Sequence, residues 1–278
     1  LSHTSEHSTV AQRQHPIGIF DSGIGGLTVA HAVTQALPHE HIIYFGDTAH
    51  LPYGDKSTAA IQAYSVKICD VLLRQQCKMI LIACNSASAA AFDLVTAYIG
   101  SKAKALNVID PVVEFVGQQF EGKTIGLIGT KQTVNSNVYK KKIDDLQKSI
   151  VLRSLATPLL APMIEEGFYD NNISESVIHT YLSDKHLNRI KALILGCTHY
   201  PLIKDQINAY YQNKVEVIDS SQIVAAHVKA FLEKNQLLNT AAAPYKKFFV
   251  SDYTKSFEAS TKLFFGKRLK LERYPLWE

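Results

Sequence analysis

The sequence predicts an α/β protein with two pseudo-symmetric, open-sheet α/β domains and its active site in the cleft between them. Short branched apolar runs alternate with amphipathic helical patterns, and each run ends on a small or polar residue, as parallel strands buried on both faces do. Two of these units are near copies: residues 78–86, KMILIACNS, and 191–201, KALILGCTHYP, each set a cysteine just past a strand. Residues 16–22 (PIGIFDS) and 124–130 (TIGLIGT) match upstream of them, which marks a duplicated half. A chain of 278 residues suits two units of roughly 100 to 200 residues each.

In chain order, residues 1–15 are polar and unpatterned and read as a flexible leader. A strand over 17–20 delivers Asp21 and Ser22 into a turn with Gly23, Gly25 and Gly26, before a helix over 27–37. The turn lacks the Lys and Ser/Thr of a phosphate loop and the full dinucleotide fingerprint, so its glycines imply close backbone packing. A strand over 41–45 leads to Gly46, Asp47 and Thr48, then to a loop with Pro52, Tyr53 and Gly54 that can close over a ligand. The helix over 57–76 puts Ile61, Tyr64, Ile68 and Leu72 on one core face. After the first cysteine strand, Asn85 and Ser86 can cap a helix over 87–98 that Gly100 ends.

A strand over 106–109 reaches Asp110 and Pro111, where the chain crosses into the second half. There a strand over 124–128 presents Gly129, Thr130 and Thr133; a helix and a strand over 150–154 follow, and then, beyond Pro158 and Pro162, the adjacent acids Glu165 and Glu166. The strand 192–195 and Gly196 precede Cys197, Thr198, His199 and Tyr200, and Pro201 opens a helix with Leu202, Ile203, Gln206 and Ile207 at helical spacing. This places Cys197 at a strand's carboxyl end, where helix-end amides favour a thiolate over a free cysteine, whose pKa is about 8.5. A strand over 215–218 leads through Asp219 and Ser220 to a helix over 222–234, and a strand over 248–250 with a helix over 256–265 returns to the first half. The expected domains are therefore 16–110 with 220–278, and 111–219.

Composition is that of an ordinary globular protein, 46% hydrophobic and 19% charged. No apolar run reaches the roughly 18 residues of a membrane span and residues 1–15 lack a signal-peptide core, so the expectation is a cytoplasmic protein without a membrane partner. Four cysteines, Cys69, Cys77, Cys84 and Cys197, are too few and too scattered for a disulfide scaffold, and Cys69 and Cys77 read as structural helix residues. The charge of +4 is mild. Basic runs at 140–142 and 267–270 read as solvated faces and not as nucleic-acid sites, and the balance suits a small anionic substrate. Cys197 and His199 are metal-ligand types, but no C-x-x-C or H-x-x-x-H pair stands near them, so no metal is expected.

Two thiols facing one cleft suit the transfer of a proton from one face of a carbon to the other. One acts as base while the other acts as acid, and the roles exchange in the reverse direction. Asp21 beside Cys84, and His199 or Glu165 beside Cys197, would tune them, while fixed amides and hydroxyls stabilise a carbanion-like transition state.

Residues 20–29 (FDSGIGGLTV), 46–48 with 52–54 (GDT, PYG), 83–86 (ACNS), 129–133 (GTKQT) and 196–201 (GCTHYP) resemble, in order and spacing, the glutamate racemases. The resemblance runs from about residue 17 to 250 and implies cofactor-independent interconversion of L- and D-glutamate, supplying D-glutamate for peptidoglycan. It implies that Cys84 deprotonates D-glutamate and Cys197 L-glutamate, with Asp21, His199 and Glu165 as auxiliary groups, Glu165 by its place in PMIE. Ser22, Pro52, Tyr53, Gly54, Asn85, Ser86, Thr130, Thr133 and Thr198 would join Asp21 and His199 around the amino and carboxylate groups. Ser86 stands where the family usually has Thr, which keeps the hydroxyl and removes a methyl. The expected partners are a small amino acid and a second copy of the chain. Rival readings are a racemase of aspartate or a related acid, distinguished by the side-chain length accepted, and a binding protein that keeps the cleft without catalysis, against which the two cysteines stand.

Overall fold

Runs of four to six apolar residues become strands here because helices cover both faces of the sheets they form. The structure, a computed structural model, describes residues 12–239 and 243–278. The expected leader lies outside the described residues up to residue 11. Its end is tied down, since the Arg13 carbonyl accepts a hydrogen bond from the buried Lys78 Nζ at 2.7 Å.

The first sheet contains β1 (Ile17–Asp21), β2 (Ile42–Gly46), β3 (Met79–Ile82) and β4 (Lys104–Asn107). The second contains β5 (Thr124–Gly129), β6 (Val151–Ala156), β7 (Ala192–Gly196) and β8 (Glu216–Ile218). The strand orders are β2-β1-β3-β4 and β6-β5-β7-β8, all parallel, so the two halves repeat one topology. Two later strands, β9 (Lys246–Val250) and β10 (Glu272–Arg273), extend the first sheet beyond β2. The two-residue β10 is too short to carry a sequence pattern.

Side chains alternate along each strand as the pleat requires. Ile17 and Ile19 of β1 face one way, with Met79 and Leu81 of β3, and Phe20 faces the other with Ile80 and Ile82. The first group belongs to a cluster that also takes in Leu193 and Leu195 of β7, so one apolar core runs continuously between the two sheets. Each half thus shares its main core with the other and keeps a smaller cluster on its outer face. Helix α1 (Leu27–Ala36) contributes Leu27, Val29 and Val33 to the shared core.

The remaining helices explain several departures from the sequence reading. Helix α2 (Thr58–Arg74) is capped by Ser57 and ends short of Cys77, which is buried beyond it and not helical. Helix α3 (Asn85–Ile99) includes Asn85 and Ser86 in its first turn; its N-cap is Cys84, whose sulfur accepts from Ala87 N–H at 3.4 Å. Helix α4 (Ile109–Gln119) contains Asp110 and Pro111 in a first turn started by Asn107, whose Oδ1 accepts from the Ile109 and Asp110 amides. A proline costs no helical bond in that turn. In the second half come α5 (Lys131–Asn135), α6 (Val138–Asp145), α7 (Leu160–Glu165) and α8 (Asn172–Leu182). Pro201 lies in a single 3-10 turn, Tyr200–Ile203, and α9 (Lys204–Tyr210) starts only after it. Helix α10 (Ser220–Lys234) feeds Val224, Val228 and Leu232 into the shared core, and α11 (Lys255–Phe265) adds Phe264 and Phe265.

Candidate active site

The strand order changes direction between β1 and β3 and again between β5 and β7, which opens a crevice at their carboxyl ends. A cysteine stands at each: Cys84 two residues beyond β3, and Cys197 immediately beyond β7. Both are free thiols, 5% and 6% exposed, and both line one cavity of about 30 Å³. The same cavity is lined by Ser22, Pro52, Tyr53, Gly54, Asn85, Ser86, Thr130, Glu165, Thr198 and His199. Ala161 and Gly196 complete its wall, and sequence reasoning passed over both because a small apolar residue carries no chemical signal. Asp21 and Thr133 stand one layer behind it. A larger cavity of about 280 Å³, between α3 and α6, holds neither thiol, so chemistry rather than size locates the site.

The two thiols have different surroundings. Burial pushes the Cys84 pKa up to about 12, and the Asp21 charge adds to that; the Ala87 amide and the Ser22 hydroxyl, 3.7 Å from the sulfur, offset only part. Burial thus favours the protonated form of Cys84. The Cys197 sulfur lies 3.5 Å from His199 Nδ1, and His199 Nε2 lies 2.8 Å from Glu165 Oε1. Burial alone would lower the His199 pKa, but Cys197 and Glu165 more than reverse it and hold the ring well above the usual histidine value. The expected helix end at Cys197 is replaced by this imidazole, because the following turn is 3-10 and short. His199 is the group that touches Cys197, Glu165 holds the ring from its far side, and Glu166 is exposed. Replacing Glu165→Gln removes the charge behind the ring, and an NMR titration of the His199 imidazole is expected to show its pKa falling. An unchanged titration would remove Glu165 from this chain.

Asp21 Oδ2 accepts from the Gly23 and Gly26 amides, both at 3.0 Å. Burial raises its pKa against the pull of His199 and those amides, and Glu165 adds to the rise. Its Oδ1 is buried without a hydrogen-bond partner, and so is Asn85 Nδ2, while Asn85 Oδ1 accepts from the Tyr139 hydroxyl at 2.8 Å. Buried polar atoms are rarely left unpaired in folded proteins. Here they are one acceptor and one donor, the complement of an ammonium and a carboxylate.

The turn glycines pack closely, as the sequence reading expected. A β-carbon on Gly25 would overlap the His199 ring, and one on Gly26 would lie 2.5 Å from Asp21 Cβ. Contacts also cross the cleft. Ser86 Oγ and Thr130 Oγ1 are 2.8 Å apart, Thr133 Oγ1 backs both, and Thr28 Oγ1 donates to the Thr198 carbonyl at 3.1 Å. The Tyr53 hydroxyl donates to Asp47 Oδ2 at 2.7 Å, so the donors that Tyr53 brings to the cavity are those of its backbone. Among the described residues, no group of three or more His, Cys, Asp or Glu could hold a metal, and no helix is long and apolar enough to cross a membrane.

A duplicated parallel fold of this kind is matched by a known class. The Asp/Glu/hydantoin racemase family model fits residues 27–228, which makes the chain a racemase and hence an isomerase by class. The glutamate racemase of Chlorobaculum parvum is 40% identical over 255 residues, covering 91% of this chain and 93% of the relative, and that of Neisseria meningitidis serogroup C is 39% identical over 259 residues, covering 93% and 95%. The crystal structure of glutamate racemase from Francisella tularensis in complex with D-glutamate superposes with a TM-score of 0.90 at 40% identity, covering 95% of this chain and 99% of that one. The chain belongs to the glutamate racemase family. Aspartate racemase from Picrophilus torridus, 19% identical with a TM-score of 0.54, shares the fold alone.

Proposed function

We propose that this protein interconverts L-glutamate and D-glutamate by a two-base mechanism that uses Cys84 and Cys197 and needs no cofactor. The observation that carries this reading is that both thiols, at equivalent positions of the two halves, line one cavity. In the direction from L-glutamate, Cys197 as thiolate takes the α-proton while the neutral Cys84 thiol delivers its proton to the opposite face. The reverse direction exchanges the roles. The imidazolium of His199, backed by Glu165, balances the Cys197 thiolate, and Asp21 serves the Cys84 side. Asn85 lines the cavity, and its Nδ2, buried without a protein partner, suits the substrate's carboxylate, while Asp21 acts from one layer behind. Ser22, Ser86, Thr130, Thr198 and the backbone at Tyr53 and Gly54 supply further polar contacts, with Thr133 bracing Ser86 and Thr130. The substrate assignment rests on the relatives, including the Francisella tularensis protein crystallised with D-glutamate.

Both thiols are buried, and we infer that the walls at 52–54 and 130 part to admit an amino-acid dicarboxylate and that their return excludes water from the reacting carbon. Residues 16–110 with 220–278 on one side, and 111–219 on the other, are the units we assign to that movement. We place the enzyme in the cytoplasm, acting as a homodimer and supplying D-glutamate for peptidoglycan.

The deciding experiment follows optical rotation and α-deuterium in D2O, without added cofactor, from each enantiomer separately. Exchange with loss of rotation from both directions supports the reading; exchange with aspartate but not glutamate moves the substrate to the shorter acid; exchange with neither favours a binding protein. A more local test uses the close packing of Gly25. Gly25→Ala forces the His199 ring away from its place, and a displacement on the order of 1 Å costs about a hundredfold in turnover. Wild-type kcat in that variant would show that the ring's position is immaterial.

A further inference from the structure

The Gly46–Asp47–Thr48 motif has no part in the proton transfers described above, yet its aspartate is wholly buried and is the most heavily used acceptor near the site. Asp47 Oδ2 accepts from the Tyr53 hydroxyl at 2.7 Å and lies 3.0 Å from His50 Nδ1. Its Oδ1 accepts from Ser251 Oγ at 2.7 Å and from Trp277 Nε1 at 2.8 Å. Its backbone amide donates to the Asp21 carbonyl at 3.0 Å. One carboxylate thus joins the Tyr53 wall of the cavity to the end of β9, to the segment carrying the only tryptophan of the sequence, and to the strand end that bears Asp21. The surroundings are closely packed. The His50 ring stacks on Tyr64 at 4.1 Å and meets Trp277 edge-on at 4.4 Å, and Lys67 Nζ lies 4.6 Å over the indole.

We propose that Asp47 is a positioning residue for racemisation, which holds the Pro52–Gly54 wall in its binding geometry through the Tyr53 hydroxyl and is itself held by Ser251 and Trp277. The proposal rests on the racemase reading, in which the backbone of that wall binds substrate. Asp47 does not touch the reacting atoms. Its effect falls on how well the wall meets the substrate in ground and transition states alike, and such uniform binding appears in KM and not in kcat. Trp277, outside the cavity lining, becomes a remote determinant of substrate affinity.

The test measures KM and kcat in both directions for Asp47→Ala, Asp47→Asn, Tyr53→Phe, Trp277→Phe and the Asp47→Ala/Tyr53→Phe double variant. Asp47→Ala is expected to raise KM about tenfold with kcat within about threefold, and Trp277→Phe to raise KM severalfold. Asp47→Asn is expected to recover most of the loss, because its carboxamide oxygen still serves Ser251 and Trp277 while its amide donates to the Tyr53 oxygen. If Asp47 acts through Tyr53, the double variant is no worse than Asp47→Ala. A purely structural role would lower the melting temperature and leave the KM of the folded enzyme unchanged. Wild-type KM in Asp47→Ala and Trp277→Phe, or additive KM changes in the double variant, overturns the proposal. If Asp47→Ala does not fold, Trp277→Phe, Tyr53→Phe and their double variant carry the same comparison: both single changes raise KM and the double does not add them, or the proposal fails. Failure of the wild-type protein to racemise glutamate would instead overturn the functional reading.

Discussion

Cys84→Ser is expected to lower kcat/KM for racemisation by about a thousandfold or more while leaving one half of the chemistry visible. General acid–base groups contribute about 10² to 10⁴ in rate, and a serine hydroxyl is far too weak an acid to replace a thiol as proton donor or, after ionisation, as base. Cys197 remains able to take the α-proton of L-glutamate and return a deuteron to the same face. In D2O the variant should therefore exchange L-glutamate slowly without loss of rotation and leave D-glutamate untouched; Cys197→Ser should do the mirror image. The loss cannot come from unfolding at Cys84, because that residue is the N-cap of α3 and serine is the better cap. A melting temperature at or above wild type would confirm this. The unlike surroundings of the two thiols, one buried and neutral and the other beside an imidazolium, cannot bias the reaction itself. Enantiomers have equal free energies, so kcat/KM must match in the two directions and the asymmetry can appear only in kcat and KM separately. Either serine variant racemising at a tenth of the wild-type rate would sink the two-thiol mechanism.

The thiols were legible because the chain writes the same strand, small residue and cysteine twice, and a parallel sheet brings equivalent strand ends to equivalent crevices. The glycines of 23–26 were legible as packing residues, though not what they pack against: Gly25 meets His199 across 174 positions of sequence, a contact that no local pattern encodes. The choice between His199 and Glu165 beside Cys197 needed the structure too. Both are polar residues near the right strand ends, and only the placement of α7 puts one behind the other. The helix expected from Pro201 opens as a 3-10 turn and becomes α-helical only at Lys204, where His199 and Tyr200 are held by tertiary contacts to Glu165 and Thr157. Asp47 carried the right motif, but its donors come from residues 50, 53, 251 and 277, and four-way acceptance by one carboxylate is a tertiary property.

The lysines that open the two cysteine strands show the same limit and lead to the largest stability effect expected here. Lys78 and Lys191 occupy equivalent places in the repeat, yet Lys191 is exposed and Lys78 is buried. Lys78 Nζ donates to Glu40 Oε2 at 2.6 Å, the Arg13 carbonyl at 2.7 Å and the Leu237 carbonyl at 2.8 Å, which uses all three of its donors. Glu40 Oε1 accepts from the Asn239 amide at 2.7 Å. Burial lowers the Lys78 pKa, and Glu40 opposes the shift. The pair fastens residue 13 and the segment that follows α10 to the bottom of the first sheet, away from the cysteines at its carboxyl edge. Glu40→Ala leaves a buried ammonium without its counter-charge and is expected to destabilise the fold by about 3 to 5 kcal/mol in urea unfolding, as is Lys78→Met by stranding the carboxylate. The double variant Glu40→Leu/Lys78→Met removes both desolvation costs and should lose less than either single change, retaining only the unpaired carbonyls and amide. Because the pair lies at the opposite edge from the site, kcat of the folded double variant should match wild type. Single variants within 1 kcal/mol of wild type, or a double variant worse than the sum of the two, would show that the buried charges are solvated by some route other than each other.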